Sequence, residues 1–518
     1  MKIIILSTAV LLFTIYTKAQ PPTDPRLKGL DTVALRILKD FHTPGVAIAV
    51  VEKGNVIFTG GYGYRDLEKK LPVTETTLFG IGSGTKAFTA ALIGILEKEG
   101  KLNIDKPVRN YLPELKFYNE YTNAHATLRD MMTHRTGVPS HRRFGGYGYS
   151  PANRNELLKR IQYMEPSAEL REKYQYNNSM YMALGVVVEK LTARSWEENI
   201  KERILKPLGM NDTKLSTLEM EKATNHSKEY DLKNLSPTAI INIAPQRDID
   251  PMMPAGSEGS INSCAKDMAN WLITWIYGGK FNEKEVIPAA FANQAMTLQM
   301  AMAESLPRGL NPDIHLPGYG LGWRLISYRG HYRVNHGGET AGFSSFTSFF
   351  PSDSIGIFVV FNRYINSAGL VNFIADRLLE LPRRDWHTQI LAATAGAETA
   401  AKSVVNMDSI YQKKNTKPAH SLEEYTGVYV NPAYDPITIT LKNDSLFGEL
   451  KSRHFLLKHY HYEIFKIHLI EDGKVQQESR QPEFIFHSNS KGEVESISAK
   501  LEPAVKEIVF VKEVKGVH

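Results

Sequence analysis

The chain has 518 residues, which is too long for one ordinary hydrophobic core, so we expect a large domain and a smaller one. Hydrophobic residues make up 42% of it and charged residues 23%, a composition typical of globular proteins. The net charge of +6 is small for this length, and no basic run is interleaved with aromatic residues, which argues against nucleic acid as a partner.

The first nineteen residues are typical of a secretory signal peptide. Lys2 precedes an apolar run over residues 3–16, and residues 17–19 offer a small-x-small cleavage site. The run is shorter than the ~20 residues that a membrane-spanning helix needs, which favours cleavage over anchoring. Cys264 is the only cysteine, so no disulfide forms within the chain. No cysteine directly follows the signal to accept a lipid. We expect a periplasmic or secreted protein without stable membrane insertion after cleavage.

Residues 79–92 contain a candidate nucleophile, Ser83, among small residues. A helical pattern begins at Thr85 and runs to Glu99, with its apolar side chains on one stripe, so Ser83 opens a helix where its N–H has no intrahelical acceptor. Lys86 lies three residues further on the same face, so its amine can approach the Ser83 hydroxyl. Taken alone, this pattern fits a helix cap with a solvated lysine at least as well.

The order of the patterned segments predicts the fold class. A helix at residues 30–41 and a hairpin at 45–59 come first, and helical periodicity then dominates residues 101–310. Strand patterns return afterwards, at residues 323–326, 332–335, 343–350 and 355–361, before a helix at 369–381. Strands at both ends indicate an α/β (α+β) fold with a mostly antiparallel sheet, flanked by helices, and an inserted helical lobe. Catalytic sites commonly lie between such lobes.

The last hundred residues predict a separate small domain. Residues 386–420 are polar and look like a linker with some helix, and short alternating runs from 421 to 518 indicate an all-β barrel. His459 and His461 would share a strand face, but no third ligand is evident, so solvated histidines are the better interpretation. We predict no metal site and no cofactor.

Two further motifs contain polar residues of the kind found in catalytic sites. Tyr176 and Asn178 lie two apart, directly before a helical pattern. His336 and Gly338 lie two apart on a predicted sheet edge, where glycine permits a close approach of the backbone to a ligand.

In this order, Ser-x-x-Lys, Tyr-x-Asn and a basic residue-x-Gly resemble the motifs of the penicillin-recognising serine hydrolases, specifically the class C β-lactamase branch. Three other stretches also resemble that family, at residues 127–139, 207–213 and 319–323. The resemblance spans residues 28–385 and implies a serine β-lactamase/DD-peptidase-like domain at 20–385. It leaves a signal peptide at 1–19, a linker at 386–420 and, at 421–518, a module similar to the lipocalin-like domain of some members.

The resemblance implies a role for each motif residue. Ser83 would be the acylated nucleophile, and Lys86 and Tyr176 would exchange its proton, since nearby cations lower the pKa of a tyrosine from its usual ~10. Asn178 would bind the substrate amide and orient Lys86.

The third motif would form the opposite wall. His336 and Gly338 would position the substrate, with His336 also placing Tyr176. The backbone N–H groups of Ser83 and Glu339 would form the oxyanion hole, where each donor is worth ~3 kcal/mol.

The third motif departs from the Lys-Thr-Gly usual in true β-lactamases. Histidine, with a solution pKa near ~6.5, is largely neutral at pH 7, so it should hold the carboxylate of a β-lactam less well. Relatives with histidine here include esterases and peptidases acting on D-amino-acid peptides. The resemblance thus implies a serine hydrolase of esters or amides working through an acyl-enzyme on Ser83.

Other functions remain open on sequence alone. One alternative is a true β-lactamase or D-alanyl-D-alanine carboxypeptidase, and another is a catalytically weak penicillin-binding, cell-wall-binding or sensory protein. The intact Ser83, Lys86, Tyr176 and Asn178 favour an enzyme with a small-molecule or peptide substrate (ester, amide, β-lactam or D-amino-acid peptide). Which substrate it takes depends on loops such as Arg142 to Tyr149. No pattern fixes the oligomeric state or the role of the barrel.

Overall fold

The computed structural model describes residues 24–141, 153–232, 240–243, 256–302, 313–340, 342–396, 411–450, 453–471, 474–475 and 482–513. The predicted signal peptide, the loop Arg142 to Tyr149 and residues 397–410 of the predicted linker lie outside these ranges. Within them, no helix has the combination of length and apolar character that crossing a membrane requires.

A single antiparallel sheet organises the first domain. Its nine strands run in the order β10-β11-β12-β13-β14-β15-β1-β2-β3, because the early hairpin pairs with the last strand and places Val46 opposite Phe361. This confirms the predicted sheet. The strands of this domain are β1 Gly45–Glu52, β2 Asn55–Asp66, β3 Leu71–Pro72, β4 Phe79–Gly80, β5 Tyr230–Leu232, β6 Ile240–Asn242, β7 Asn262–Ser263, β8 Lys280–Phe281, β9 Lys284–Glu285, β10 Met300–Ala301, β11 Ile314–Tyr319, β12 Arg324–Tyr328, β13 His331–Glu339, β14 Ser344–Phe350 and β15 Ile355–Phe361.

Helices cover both faces of the sheet and fill the inserted lobe. They are α1 Leu30–Asp40, α2 Thr85–Lys98, α3 Glu120–His125, α4 Leu128–Met132, α5 Arg154–Arg160, α6 Asn178–Thr192, α7 Trp196–Ile200, α8 Thr217–Lys222, α9 Ala265–Ile276, α10 Ala289–Ala295 and α11 Ala368–Leu378. Residues 386–396 are also helical.

The alternating side chains of β1 enter two different cores, with Val46, Ile48 and Val50 facing α1 and α11 on one side. Ala47, Ala49 and Val51 join the core that contains α2 and α9 on the other. A strand buried on both faces reads as one continuous apolar run, which is how the sequence presents it.

Helix α2 is buried nearly all round, which corrects the prediction of one apolar stripe. Every residue from Thr85 to Gly94 is buried. The helix lies among α6, α7 and α10. A Cβ at Gly94 would lie 2.2 Å from the Phe291 ring on α10, so only glycine permits this contact. The small residues of α2 therefore serve close packing between the sheet and the helical lobe.

The C-terminal region is a closed barrel of eight strands, which confirms the predicted small all-β barrel. The chain order is β16 Gly427–Val430, β17 Ile437–Lys442, β18 Ser445–Leu450, β19 Arg453–His461, β20 Ile464–Glu471, β21 Lys474–Val475, β22 Glu483–Ser488, β23 Val494–Ala499 and β24 Ile508–Lys512. Pairing of β19 with β20 closes the barrel, and the two-residue β21 adds to its edge. The strand register shifts between His459 and His461, and His459 is hydrogen-bonded to the Tyr462 carbonyl (2.9 Å).

The region assigned to the linker begins with a helix that packs on the first domain. Trp386 Nε1 donates to Asp376 (2.7 Å), and His387 Nε2 lies 2.7 Å from the Asp40 carboxylate. Further along, Gln412 donates to the Tyr460 carbonyl of the barrel (2.9 Å). The two ends of this region are therefore attached to different domains.

Candidate active site

Ser83 lies in a tight turn, Gly82–Gly84, that leads directly into α2. Its two glycine neighbours are buried, whereas Ser83 itself is partly exposed. The Gly84 N–H donates to the Ile81 carbonyl (3.1 Å), and this is the first hydrogen bond of the turn. The Ser83 N–H comes one residue earlier, so it precedes the hydrogen bonds of the helix. The sequence thus places an accessible hydroxyl on a rigid, buried support.

Lys86 is fully buried, and its ammonium points at the Ser83 hydroxyl. Its Nζ donates to Ser83 Oγ (3.0 Å) and to the Glu258 carbonyl (2.9 Å), and lies 4.9 Å from the centre of the Tyr176 ring. The alternative of a solvated lysine beside a helix cap is therefore wrong. A serine hydroxyl next to a buried, fixed amine is the arrangement that activates a nucleophile.

The Tyr-x-Asn motif forms the start of α6, and its middle residue builds the support. Asn177 caps the helix, with its Oδ1 accepting from the Met180 N–H (3.3 Å) and its Nδ2 donating to the carbonyls of Val138 and Pro139. Asn178 takes no part in the cap, and within the described ranges its buried Oδ1 has no hydrogen-bond partner. A buried amide oxygen without a donor is costly, so this atom is suited to receive an N–H group of a ligand.

The ring of His134 lies in an aromatic cluster that includes Tyr176, and the motifs predicted no role for this histidine. The ring of His134 lies 4.3 Å from that of Tyr176, 5.2 Å from Tyr181 and 4.9 Å from Tyr319, measured between ring centres. Burial, followed by the charge of Lys86, lowers the pKa of His134 well below its usual value. His134 and Tyr319 fall in two of the family-like stretches, which is the signal that pointed to them.

His336 is buried and both of its ring nitrogens bind protein groups. Nε2 lies 2.8 Å from the Tyr319 hydroxyl and Nδ1 lies 2.6 Å from the Gly337 carbonyl. A carbonyl only accepts, so we assign the proton to Nδ1 and let Tyr319 donate to Nε2. Burial, and then the charge of Lys86, lowers the pKa of His336 to about 3. The imidazole is therefore neutral at pH 7 and contacts Tyr319, with its ring centre 6.3 Å from that of Tyr176.

Glycines let strand β13 lie directly against the nucleophile turn. A Cβ on Gly338 would lie 1.8 Å from the Ile81 carbonyl oxygen, and a Cβ on Gly82, whose φ is +51°, would lie 2.5 Å from the Glu339 nitrogen. These contacts bring the backbones of Glu339 and Gly82 together, next to Ser83. The two segments predicted to supply the oxyanion hole are thus adjacent.

The geometry agrees with the comparisons with known proteins. Residues 30–380 match the β-lactamase family, and residues 411–512 match a domain of unknown function, DUF3471. The chain belongs to the β-lactamase family.

Proteins from three organisms illustrate what the chain is similar to. An unguisins hydrolase from Aspergillus campestris (strain IBT 28561) is 28% identical over 440 residues, which are 82% of this chain and 79% of that protein. Protein flp from Staphylococcus aureus (strain MW2) is 27% identical over 341 residues, 66% of this chain and 64% of its own length. The octameric penicillin-binding protein homologue from Pyrococcus abyssi, a solved structure, matches 93% of this chain and 99% of its own with a TM-score of 0.60 at 21% identity. That likeness shows a shared fold.

The close approach at Gly338 is testable with a matched pair of variants of this β-lactamase family protein. In Gly338→Ala, the new methyl group collides with Ile81 and Ser345, so β13 must move away from Ser83. We expect a loss of about 100-fold in turnover and about 2 kcal/mol in unfolding free energy. In Gly337→Ala, the nearest atom to the new Cβ is 3.7 Å away, so both quantities should stay near wild type. Equal effects of the two substitutions would contradict this packing.

The lowered pKa of His336 predicts how stability depends on pH. Between pH 6.5 and about 3 the unfolded chain binds a proton at this residue and the native protein does not. Stability is therefore full above pH 6.5 and is lost as the pH falls, by about 1.4 kcal/mol per pH unit. His134 adds a change of the same sign. Urea unfolding of wild type and His336→Gln at pH 7, 6 and 5 checks this, and the variant should lose the His336 share of the slope. An unchanged slope would contradict the assignment.

Proposed function

We propose that this protein is an exported serine hydrolase that cleaves esters or amides through an acyl-enzyme on Ser83. The observation that carries the proposal is the 3.0 Å contact between Lys86 Nζ and Ser83 Oγ, with the lysine fully buried. A lysine buried for stability alone does not require a partly exposed serine as its partner. A serine nucleophile, by contrast, needs a group that exchanges its proton within hydrogen-bond distance.

The proposed reaction uses the residues around that contact. Ser83 Oγ attacks the carbonyl carbon while its proton passes to the ionised Tyr176, or to Lys86 when its amine is neutral. The same proton then goes to the leaving alcohol or amine. A cation beside a phenol favours the ionised phenol, so the nearby ammonium of Lys86 supports Tyr176 as a base. The N–H groups of Ser83 and Glu339 stabilise the oxyanion, and water releases the acyl group in a second round.

The third motif supports esters and amides over β-lactams. A permanent cation at this position would hold a substrate carboxylate, but His336 is buried, neutral and hydrogen-bonded to Tyr319. The relative from Aspergillus campestris, which covers most of this chain, is named as a hydrolase of unguisins. Both observations favour hydrolysis of a substrate other than a β-lactam.

Turnover of three substrate classes under one set of conditions tests the proposal. We expect wild-type protein to hydrolyse p-nitrophenyl esters faster than nitrocefin, with D-alanyl-D-alanine peptides reporting on peptidase activity. Nitrocefin turnover far above ester turnover would replace the esterase proposal with a β-lactamase. Absence of turnover on all three, together with tight penicillin binding, would indicate a binding or sensory protein.

Export is part of the proposal and rests on residues 1–19. Expression of the full chain in a Gram-negative host, followed by fractionation and N-terminal sequencing, tests it. We expect mature protein in the periplasm or medium that begins at Gln20, and full-length protein in the cytoplasm would contradict it.

A further inference from the structure

Residues 134–141 connect the candidate active site with the C-terminal barrel, and we refer to them as the bridge segment. Its first residue, His134, packs on the ring of Tyr176, and its last residue, His141, is buried against the barrel. Both histidines have a positive φ, of 56° and 48°. Such a conformation is unfavourable for a residue with a Cβ and persists where surrounding contacts hold it.

At the site end, the bridge segment binds the residues on either side of Tyr176. The N–H of Gln175 donates to the His134 carbonyl (2.7 Å), and the N–H of Asn177 donates to His134 Nδ1 (3.1 Å). The side chain of Asn177 adds bonds to the carbonyls of Val138 (3.1 Å) and Pro139 (2.7 Å). Four hydrogen bonds to one segment therefore fix the backbone that presents Tyr176 and Asn178.

At the barrel end, two barrel residues hold the bridge segment. Glu502 accepts from the His141 N–H (2.9 Å) and from Ser140 Oγ (3.3 Å), and the Tyr434 hydroxyl lies 2.7 Å from His141 Nδ1. The other ring nitrogen of His141 lies 3.3 Å from the Glu165 carbonyl, so it carries the proton and Tyr434 donates to Nδ1. Tyr434 and Glu502 are both buried, at 6% and 7% exposure, so water does not replace these contacts readily.

We propose that the barrel positions the catalytic Tyr176 and Asn178 through the bridge segment, with Tyr434 and Glu502 as positioning residues for the reaction. The inference rests on the proposed function of Ser83 and goes beyond it, because it gives the barrel a part in catalysis. Tyr434 and Glu502 contact the bridge segment rather than Ser83, Lys86 or Tyr176. They act by fixing a segment that is hydrogen-bonded to both neighbours of Tyr176.

The domain interface offers a control that leaves the bridge segment alone. Arg160, at the end of α5, forms an ion pair with Asp435 of the barrel (2.9 Å). Arg160→Gln therefore weakens the attachment of the barrel at a second point. A second control is Tyr429→Phe, which removes a buried barrel hydroxyl that donates to the Tyr425 carbonyl (2.8 Å) inside the same domain.

The test compares these variants as full-length proteins, in ester hydrolysis and in amide hydrogen exchange of the peptide that contains Gln175 and Asn177. For Tyr434→Phe and Glu502→Ala we expect kcat to fall by about tenfold with KM within about twofold, since a misplaced catalytic group affects the reaction more than binding. Exchange at the Gln175 and Asn177 amides should become faster. Glu502→Gln keeps one acceptor and should recover part of the kcat. Tyr429→Phe and Arg160→Gln should match wild type in both measurements.

Two results would overturn the inference. The first is unchanged amide exchange and unchanged kcat in Tyr434→Phe and Glu502→Ala. The second is a loss of kcat in Arg160→Gln equal to the loss in those variants. That result would show that attachment of the barrel matters and the bridge segment does not. If wild type hydrolyses neither the ester nor the D-alanyl-D-alanine peptide, the proposed function fails, but the exchange measurement still decides whether the barrel orders Tyr176. Melting temperatures of all variants identify any substitution that prevents folding, and the remaining variant of the pair then decides.

Discussion

Replacing Ser83 with alanine is expected to reduce ester turnover by about 10⁵- to 10⁶-fold, the size of loss that follows removal of a nucleophile from a serine hydrolase. The reason is that the Ser83 hydroxyl, 3.0 Å from Lys86 Nζ, can form the acyl-enzyme, whereas the Glu258 backbone carbonyl at 2.9 Å cannot. Steady-state hydrolysis of a p-nitrophenyl ester measures the effect, with the uncatalysed rate as the lower limit.

The fold should survive this substitution. Ser83 is partly exposed and its side chain caps no helix, so the melting temperature of Ser83→Ala should lie close to that of wild type. Ser195→Ala is a matched control, because Ser195 caps α7 through a reciprocal pair of bonds with Glu198. That variant should lose about 1 kcal/mol of unfolding free energy and keep full activity. Activity of Ser83→Ala within tenfold of wild type would remove Ser83 as the nucleophile.

Replacing Lys86 with methionine is expected to have the second largest effect, a loss of about 10³- to 10⁴-fold in turnover. The substitution removes the amine that contacts Ser83 Oγ and keeps an unbranched side chain that is one atom shorter. Because the buried ammonium no longer has to be desolvated, the free energy of unfolding should be unchanged or higher. Loss of activity without loss of stability separates a catalytic lysine from a structural one, and urea unfolding beside ester hydrolysis measures both.

A lysine with an exposed ion pair provides the control for this variant. Lys190 contacts Glu114 on the surface, so Lys190→Met should leave turnover unchanged. If Lys86→Met retains more than a tenth of the wild-type turnover, Lys86 does not act on the Ser83 proton. If instead it is strongly destabilised with a proportional loss of activity, its role is structural.

The centre of the sheet was predictable because β1 and β15 are almost entirely apolar and are bounded by clear turns. The pattern at Ile355–Phe361 matches the observed strand to the residue, and the hairpin from Gly45 is found where it was predicted. Two barrel strands, Ser445–Leu450 and Val494–Ala499, show only weakly the apolar alternation from which the barrel was predicted. The first contains Gly448, whose missing side chain makes room for the ring of Phe455, and a glycine weakens a strand pattern. The second alternates polar residues with few apolar ones.

The motifs predicted which residues meet at the site, but the reasons for their positions lie in tertiary contacts. Ser83 and Lys86 are neighbours on one helix, so their contact follows from helical spacing. The burial of Lys86, by contrast, depends on the elements that pack around α2, and the sequence of α2 alone does not predict them. His134 supports Tyr176 from a segment forty residues away, through a hydrogen bond to Asn177 and ring contacts that no local pattern specifies.

The most direct test of the central claim is the mass of the protein after reaction with a fluorophosphonate, followed by peptide mapping of the adduct. We predict one adduct per chain, located on the peptide that carries Ser83, and no adduct on Ser83→Ala. Labelling of the alanine variant at the wild-type level, or an adduct mapped to a different serine, would contradict Ser83 as the nucleophile.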